Sequence, residues 1–283
     1  MSDGREHAPI DVCMPTLGGG AVIGQCLERL HEAFADSSLE LAALRISDGG
    51  SADDTPEIVR EWANRHGHTL DFQIEGTSLP VARERLIGRV TTDWFLFLDD
   101  DVLIDESYLS TLASWMDEDG VGAVHGRKAN AYYGPPSEWK RMRATRGATH
   151  ATLFRTAAVD GTTVPPDLHV LEDEYLRRVV ENRGWNWVFD HRALLEHQNQ
   201  GRHGPNFQAG WLAGKYGLLP GWYCVLHPLY AIARRRDPLP HTKRAFGWVA
   251  GTISGHLEGG VFAETYGIPD DGDLPYTGGK QLP

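Results

Sequence analysis

Trp94-Phe95-Leu96-Phe97-Leu98-Asp99-Asp100-Asp101 is the stretch whose reading decides the fold. Five apolar residues in a row predict a central strand covered on both faces, because a strand with one face in water would alternate. Three carboxylates follow at once. Crowded carboxylates repel and raise one another's pKa, and a hard divalent cation relieves the repulsion. If the strand continues, Asp99 and Asp101 point to the same side, a D-x-D pattern suited to Mg²⁺ or Mn²⁺ bridging to phosphate oxygens. Solvated acids in an ordinary loop would give the same letters. The apolar run before them puts the loop at the end of a buried sheet strand, where α/β sheets bind ligands.

The flanking sequence supplies the rest of such a sheet. Ile10 to Met14 reads as a strand stopped by Pro15. The run Gly18-Gly19-Gly20 then opens a helix marked by Ile23, Leu27, Leu30 and Phe34 at helical spacing. A strand at Leu41–Ile46 ends in Ser47-Asp48-Gly49-Gly50-Ser51. Asp53, Asp54 and Thr55 are set to cap the next helix, with Pro56 in its first turn. Leu70–Ile74 is a third strand and Pro80–Arg89 a helix. Alternating strands and helices predict right-handed βαβ units and a mostly parallel sheet. Further on, Val121–Gly126, His150–Phe154, Trp185–Phe189 and Ala193–Glu196 read as strands. Glu172–Asn182 reads as a helix, and the aromatic, basic stretch Ala131–Arg146 as loop and helix.

Composition narrows the function classes. Hydrophobic residues at 41% and charged residues at 23% are ordinary for a globular chain, so disorder is not the default. A formal net charge of -12 disfavours nucleic-acid backbones as partners. Three cysteines, with no C-x-x-C pair, argue against a zinc site or a disulfide framework and suit a reducing compartment. The polar start MSDGREHAPI has no signal-peptide core, so the expected localisation is cytoplasmic.

The composition changes near Gly201. Between Arg202 and His256 there are seven Lys or Arg residues and one acid, Asp237. Trp211, Trp222, Tyr223, Tyr230 and Trp248 are interleaved with them, and the longest apolar stretch, Trp222–Ala233, is too short to span a bilayer. Aromatics mixed with cations suit an anionic membrane surface, so a peripheral contact with the cytoplasmic leaflet is one expectation for this region. A helical extension packed on the acidic core is the other.

Taken together, the motifs resemble the inverting glycosyltransferases of family 2, which have the GT-A fold. Asp11-Val12-Cys13-Met14-Pro15-Thr16 resembles the family's first strand ending in Pro-Thr. Ser47-Asp48-Gly49-Gly50-Ser51-Ala52-Asp53-Asp54-Thr55 resembles its D-G-G-S-T-D-G-T turn. Ala82 to Gly88 resembles A-R-N-x-G, with Glu84 where Asn is usual. Phe97-Leu98-Asp99-Asp100-Asp101 resembles F-L-D-x-D. Gly147–Arg155 resembles the acceptor-side segment that ends in an Arg, and Glu172-Asp173 with Arg177-Arg178 resembles the E-D motif and its Arg. The first turn, Leu17-Gly18-Gly19-Gly20, departs from the family pattern and is expected to approach the ligand through its backbone alone.

The resemblance covers roughly residues 8 to 200. It implies a GT-A catalytic domain there, with a Rossmann-like, mostly parallel sheet and flanking helices, and a basic, aromatic helical extension over 201–283. The implied activity is metal-dependent, inverting transfer of a hexose from an NDP-sugar, UDP- or GDP-linked, to an acceptor hydroxyl or a glycan or polyprenyl-phosphate carrier. Pro15, Thr16, Asp48, Arg83, Asp99 and Asp100 are then expected on the donor nucleotide. Asp101 and Asp99, with His197 as a further ligand, are expected on Mg²⁺ or Mn²⁺. Asp173 is the choice for general base, with Glu172 the competitor that spacing does not separate from it. Two other readings remain: a non-catalytic nucleotide-sugar or glycan-binding protein of the same shape, and a sugar nucleotidyltransferase. The second would call for a basic, Gly-rich loop, and Gly18–Gly20 has no Lys or Arg nearby.

Overall fold

The computed structural model describes residues 7–129, 147–198 and 205–258. The expected elements in 131–146 and the expected boundary at 200/201 lie outside the described residues.

The N-terminal half alternates as its apolar periodicity requires. Strands β1 (Ala8–Thr16), β2 (Leu39–Asp48), β3 (Leu70–Ile74) and β4 (Trp94–Leu98) are separated by helices α1 (Ile23–Ala35), α2 (Thr55–His66) and α3 (Leu79–Arg89). All neighbouring pairs among these four strands are parallel. The second half contains β5 (Val102–Ile104), α4 (Tyr108–Ala113), β6 (Val121–Lys128), β7 (Ala151–Arg155), α5 (Thr156–Val159), α6 (Glu172–Asn182) and β8 (Asn186–His197). Three more helices follow: α7 (Phe207–Lys215), α8 (Gly221–Ala233) and α9 (Leu239–Glu258). The expected strands at 185–189 and 193–196 are one strand, β8, whose register against β6 shifts partway along.

The sheet order is β3-β2-β1-β4-β7-β6-β8-β5, and β7 runs antiparallel to both of its neighbours. β4 is buried at every residue, as its unbroken apolar run demands. One core lies on the α1/α2 side, around Ile10, Leu27, Trp62 and Leu96. The other lies on the α6 side, around Phe95, Phe97, Phe154, Leu176 and Trp187, and it includes Leu212 and Tyr216 of the α7 region. The first C-terminal helix therefore shares the α/β core.

One geometric constraint shapes the molecule. Only Asp99–Asp101 separate β4 from β5, yet the two strands stand four positions apart in the sheet. Four interstrand spacings on a flat sheet come to about 19 Å. Four residue steps reach at most about 14 Å. The sheet must therefore curl until its β5–β8 edge comes back beside the end of β4. That curl brings the end of β8 to the three aspartates.

Candidate functional site

The acidic loop is a turn. β4 stops at Leu98, and the Val102 N–H bonds back to the Asp99 carbonyl at 3.2 Å. Asp99 and Asp101 thus share a side because the chain turns, not because the strand runs on. The turn is pinned from two directions. The Asp99 N–H bonds the His150 carbonyl at 2.9 Å, and the Gln198 N–H bonds the Asp101 carbonyl at 2.8 Å. β5 pairs with β8 so that Val102 lies opposite His197. The His197 Nδ1 is 3.5 Å from an Asp101 carboxylate oxygen. Asp99, Asp101 and His197 each offer a ligand atom within 4.8 Å of the others. Two carboxylates and an imidazole at this spacing fit a divalent cation with positions left for a diphosphate.

Asp100, between them, turns away and accepts a hydrogen bond from the Thr16 hydroxyl at the end of β1. Burial pushes the Asp100 carboxyl up to about 6, and the charges of Asp101 and Asp99 add to the effect, against the Thr16 hydroxyl. The parallel β1 and β4 thus end side by side, each with a polar residue at its carboxyl end.

Arg83 on α3 is 2% exposed, a buried cation and not a solvated helix charge. Its guanidinium stacks over Phe97, 5.3 Å from the ring centre, and reaches Asp99 at 3.0 Å and Glu172 at 3.8 Å. It links the acidic turn to the head of α6. Leu171, just before that helix, holds φ 68. A branched apolar residue in the left-handed region is strained, and such strain concentrates at functional sites. Asp173 is pushed up to about 7 by burial, with the Glu172 charge adding. Gly147 sits against this helix start: a Cβ there would overlap the Asp173 carbonyl, and the Gly147 N–H bonds Glu174 at 3.0 Å.

The acidic turn opens on a cleft of about 440 Å³ lined by Pro15, Thr16, Ser47, Gly49, Ala82, Asp99, Asp100, Asp101 and His197, among others. Asp48 is fully buried beneath its rim. Its Oδ1 accepts from the Gly50 N–H, the Ser51 N–H and the Ser51 hydroxyl, at 2.8–2.9 Å. Asp48 therefore holds its own turn, and its Oδ2 has no hydrogen-bond partner among the described residues.

Several expectations are corrected. Two amides of the glycine loop are engaged within the protein. The Gly18 N–H bonds Ser51 and the Gly20 N–H bonds Asp53, while Gly19 makes room for the Asp100 carboxyl. Arg155 is not near the cleft. Because β7 is antiparallel to β4, it pairs with Trp94 at the far end, stacks on Trp94 and Trp185, and bonds the carbonyls of Val121 and Met116. Arg177 clamps Glu174 and Glu181 inside α6. Glu84, in the place of the usual Asn, accepts the Val164 N–H at 2.7 Å and ties down a loop. His150, given no role by the sequence, packs 5.8 Å from the His197 ring. Burial, with Lys128, His197 and Arg83 nearby, holds its imidazole near a pKa of about 3, and so neutral. Its place two residues after Ala148 in the Gly147 segment was the only signal in the sequence.

The sequence matches the family model described as glycosyl transferase family 2 over residues 11–179. Among solved structures, it resembles the mannosyltransferase PcManGT from Pyrobaculum calidifontis in complex with GDP-Man and Mn²⁺. The identity is 19%, covering 88% of this chain and 74% of that one, with a TM-score of 0.57. TarS 1–349 of S. aureus in complex with UDP-GlcNAc is 15% identical over 87% of this chain and 73% of that one, with a TM-score of 0.56. Glucosyl-3-phosphoglycerate synthase from Mycobacterium tuberculosis, in complex with Mg²⁺ and UDP, is 14% identical over 94% and 82%, with a TM-score of 0.52. At such identities the likeness is one of fold, the GT-A fold. No curated protein matches the chain.

Proposed function

The chain belongs to glycosyl transferase family 2, and from that premise we propose that it transfers a hexose from a UDP- or GDP-linked donor, with inversion, to a hydroxyl or to a glycan or polyprenyl-phosphate carrier. The observation that carries this reading is the convergence of Asp99, Asp101 and His197 in one cleft, with Arg83 behind them joining Asp99 to Glu172 at the head of α6. Residues 8–200 form the catalytic part in this reading and 201–283 the extension.

Asp99, Asp101 and His197 would hold Mg²⁺ or Mn²⁺, which when bound neutralises charge developing on the diphosphate leaving group. Pro15 and Thr16 form the wall against the nucleotide, with Asp100 fixing the Thr16 hydroxyl. Asp48 serves the base through Oδ2, its remaining acceptor. Arg83 holds Asp99 in place, and its buried Nη1, without a hydrogen-bond partner among the described residues, is available to a phosphate oxygen. Asp173 takes the proton of the acceptor hydroxyl as it attacks the anomeric carbon. A pKa of about 7 suits it to that task near neutrality, whereas Glu172 is engaged by Arg83.

The presence of every acid weighs against a binding module that has lost catalysis. Three free, buried cysteines are in keeping with a cytoplasmic setting. Peripheral contact of the C-terminal helices with an anionic membrane belongs to the same reading.

Calorimetric titration with UDP, GDP and dTDP, each with and without Mn²⁺, tests it. One nucleotide should bind tightly, and binding should fall sharply without metal and in Asp101→Ala. No nucleotide binding in the presence of metal would sink the transferase.

A further inference from the structure

The C-terminal helices are packed inside out. Gly210 and Gly214 of α7 meet Gly247, Gly251 and Gly255 of α9, and a Cβ at any of the five would overlap a backbone carbonyl of the opposite helix. The large apolar side chains of the neighbouring faces point away from the protein. Phe246, Ile253 and Leu257 line one side of α9, and Trp222, Leu226 and Leu229 line one side of α8, each between 53% and 83% exposed. Their spacings, 0-7-11 and 0-4-7, keep each set on one helical face.

In water, helices associate by burying such side chains, and a contiguous exposed patch marks a surface that meets something apolar. In hydrocarbon, burying a Leu gains nothing, and helices pair closely through glycines instead. The α7–α9 contact follows the second rule. Yet no described helix is long and apolar enough to cross a membrane.

Charge supplies an independent indication. The turn from α8 to α9 carries Arg234, Arg235 and Arg236, all exposed, and Lys243 is exposed one helical turn into α9. None of the four forms an ion pair among the described residues. The local acid, Asp237, is occupied with the Leu239 N–H. A chain of net charge -12 thus gathers four exposed cations without ion pairs among the described residues next to exposed apolar side chains of α8 and α9. A second copy meeting this face with its own α8–α9 face would bring like charges to it. Lipid phosphates would bring the opposite charge.

We propose that α8 and α9 form a monotopic dock lying in the interface of an anionic bilayer. The six apolar side chains sit at the acyl boundary, and Arg234–Arg236 and Lys243 sit on lipid phosphates. The docking stands on this geometry. Its consequence, that the sugar acceptor is carried on a membrane lipid, rests on the proposed sugar transfer. The helices of the dock are tied to the α/β core through α7: Lys215 and Tyr216, at its end, bind Asp167, and the Tyr216 ring lies 6.4 Å from Tyr175 of α6, the helix that bears Glu172 and Asp173.

The full chain would be sedimented with vesicles of phosphatidylcholine, alone or mixed with phosphatidylglycerol, at physiological ionic strength. The same samples would be titrated with UDP and GDP plus Mn²⁺ and sized by light scattering. The protein should pellet with the anionic vesicles and bind the neutral ones more weakly. Arg234→Gln with Arg235→Gln and Arg236→Gln should weaken anionic binding by about five-fold per charge. Leu226→Glu with Leu229→Glu and Phe246→Glu should abolish it, with nucleotide binding unchanged, which shows that the fold is intact. Wild-type protein left in the supernatant with anionic vesicles would overturn the dock, as would equal pelleting of the Glu variant. A dimer that the Glu variant dissolves, with no vesicle binding, would assign the face to a second copy and also overturn it. Pelleting without nucleotide binding would leave the dock standing and remove the sugar-transfer reading instead.

Discussion

Glu172→Gln separates the two acids at the head of α6. Asp173 stands at about 7 because burial disfavours its charged form, with the Glu172 charge as the next cause. Carboxylates on adjacent helix positions lie roughly 7 Å apart and repel by roughly 2 kcal/mol at an effective dielectric constant of about 20. That corresponds to about one and a half pKa units. A general base works deprotonated, so the wild-type kcat/KM should fall about ten-fold per pH unit below about 7. Glu172→Gln should move this acid limb down by about one to two units and keep the plateau. Arg83 would retain Asp99 at 3.0 Å, so the rest of the site keeps its counter-charge. Asp173→Asn should lower the plateau kcat by about 10²–10⁴ and remove the acid limb. The assay is a pH profile of sugar transfer, backed by a ¹³C carboxyl titration of Asp173, which requires no acceptor. If Glu172→Gln abolished transfer while Asp173→Asn preserved it, or if the limb stayed in place in Glu172→Gln, the assignment of the base would be wrong.

Arg83→Met should destabilise the fold by about 3–5 kcal/mol at pH 7, because it strips the buried acids of their counter-ion. Urea midpoints should show the deficit shrinking at pH 5, as Asp173, which stands at about 7 and feels the Arg83 charge, takes up a proton. Gly251→Leu should drive α7 and α9 apart, since even a Cβ would overlap the Trp211 carbonyl. Hydrogen exchange should quicken in those two helices and leave β1–β4 unchanged. His125 accepts the Trp187 indole N–H at 2.7 Å and is held by burial near a pKa of about 3, against a usual 6.5. The unfolded chain therefore binds a proton below 6.5 that the folded chain refuses. This contribution is fully present above 6.5 and is lost as pH falls, by about 2 kcal/mol at pH 5. His125→Gln should flatten that part of a melting-temperature profile against pH.

Much of the fold was legible because its signals are local. The apolar run 94–98 declares a doubly covered strand within five residues, and the spacing of Ile23, Leu27, Leu30 and Phe34 declares a helix. The acidic loop was legible as a cation site, although its reason was not: Asp99 and Asp101 converge through a turn instead of a continued pleat. The glycine contact between α7 and α9 had a sequence signal, glycines four apart at 210/214 and 247/251/255, but the partner of each row could be known only from the packed structure.

The sequence by itself determined the strand and helix types, the chemistry of the acids and the basic character of the tail, since each depends on residues within a turn or two of one another. Tertiary structure decided which of those residues meet. The curl of the sheet brought His197 to Asp101, the direction of β7 carried Arg155 away from the cleft, and the seat of α3 made Arg83 a buried bridge between Asp99 and Glu172. Those outcomes depend on strand order and direction, which long-range packing selects and no local periodicity encodes.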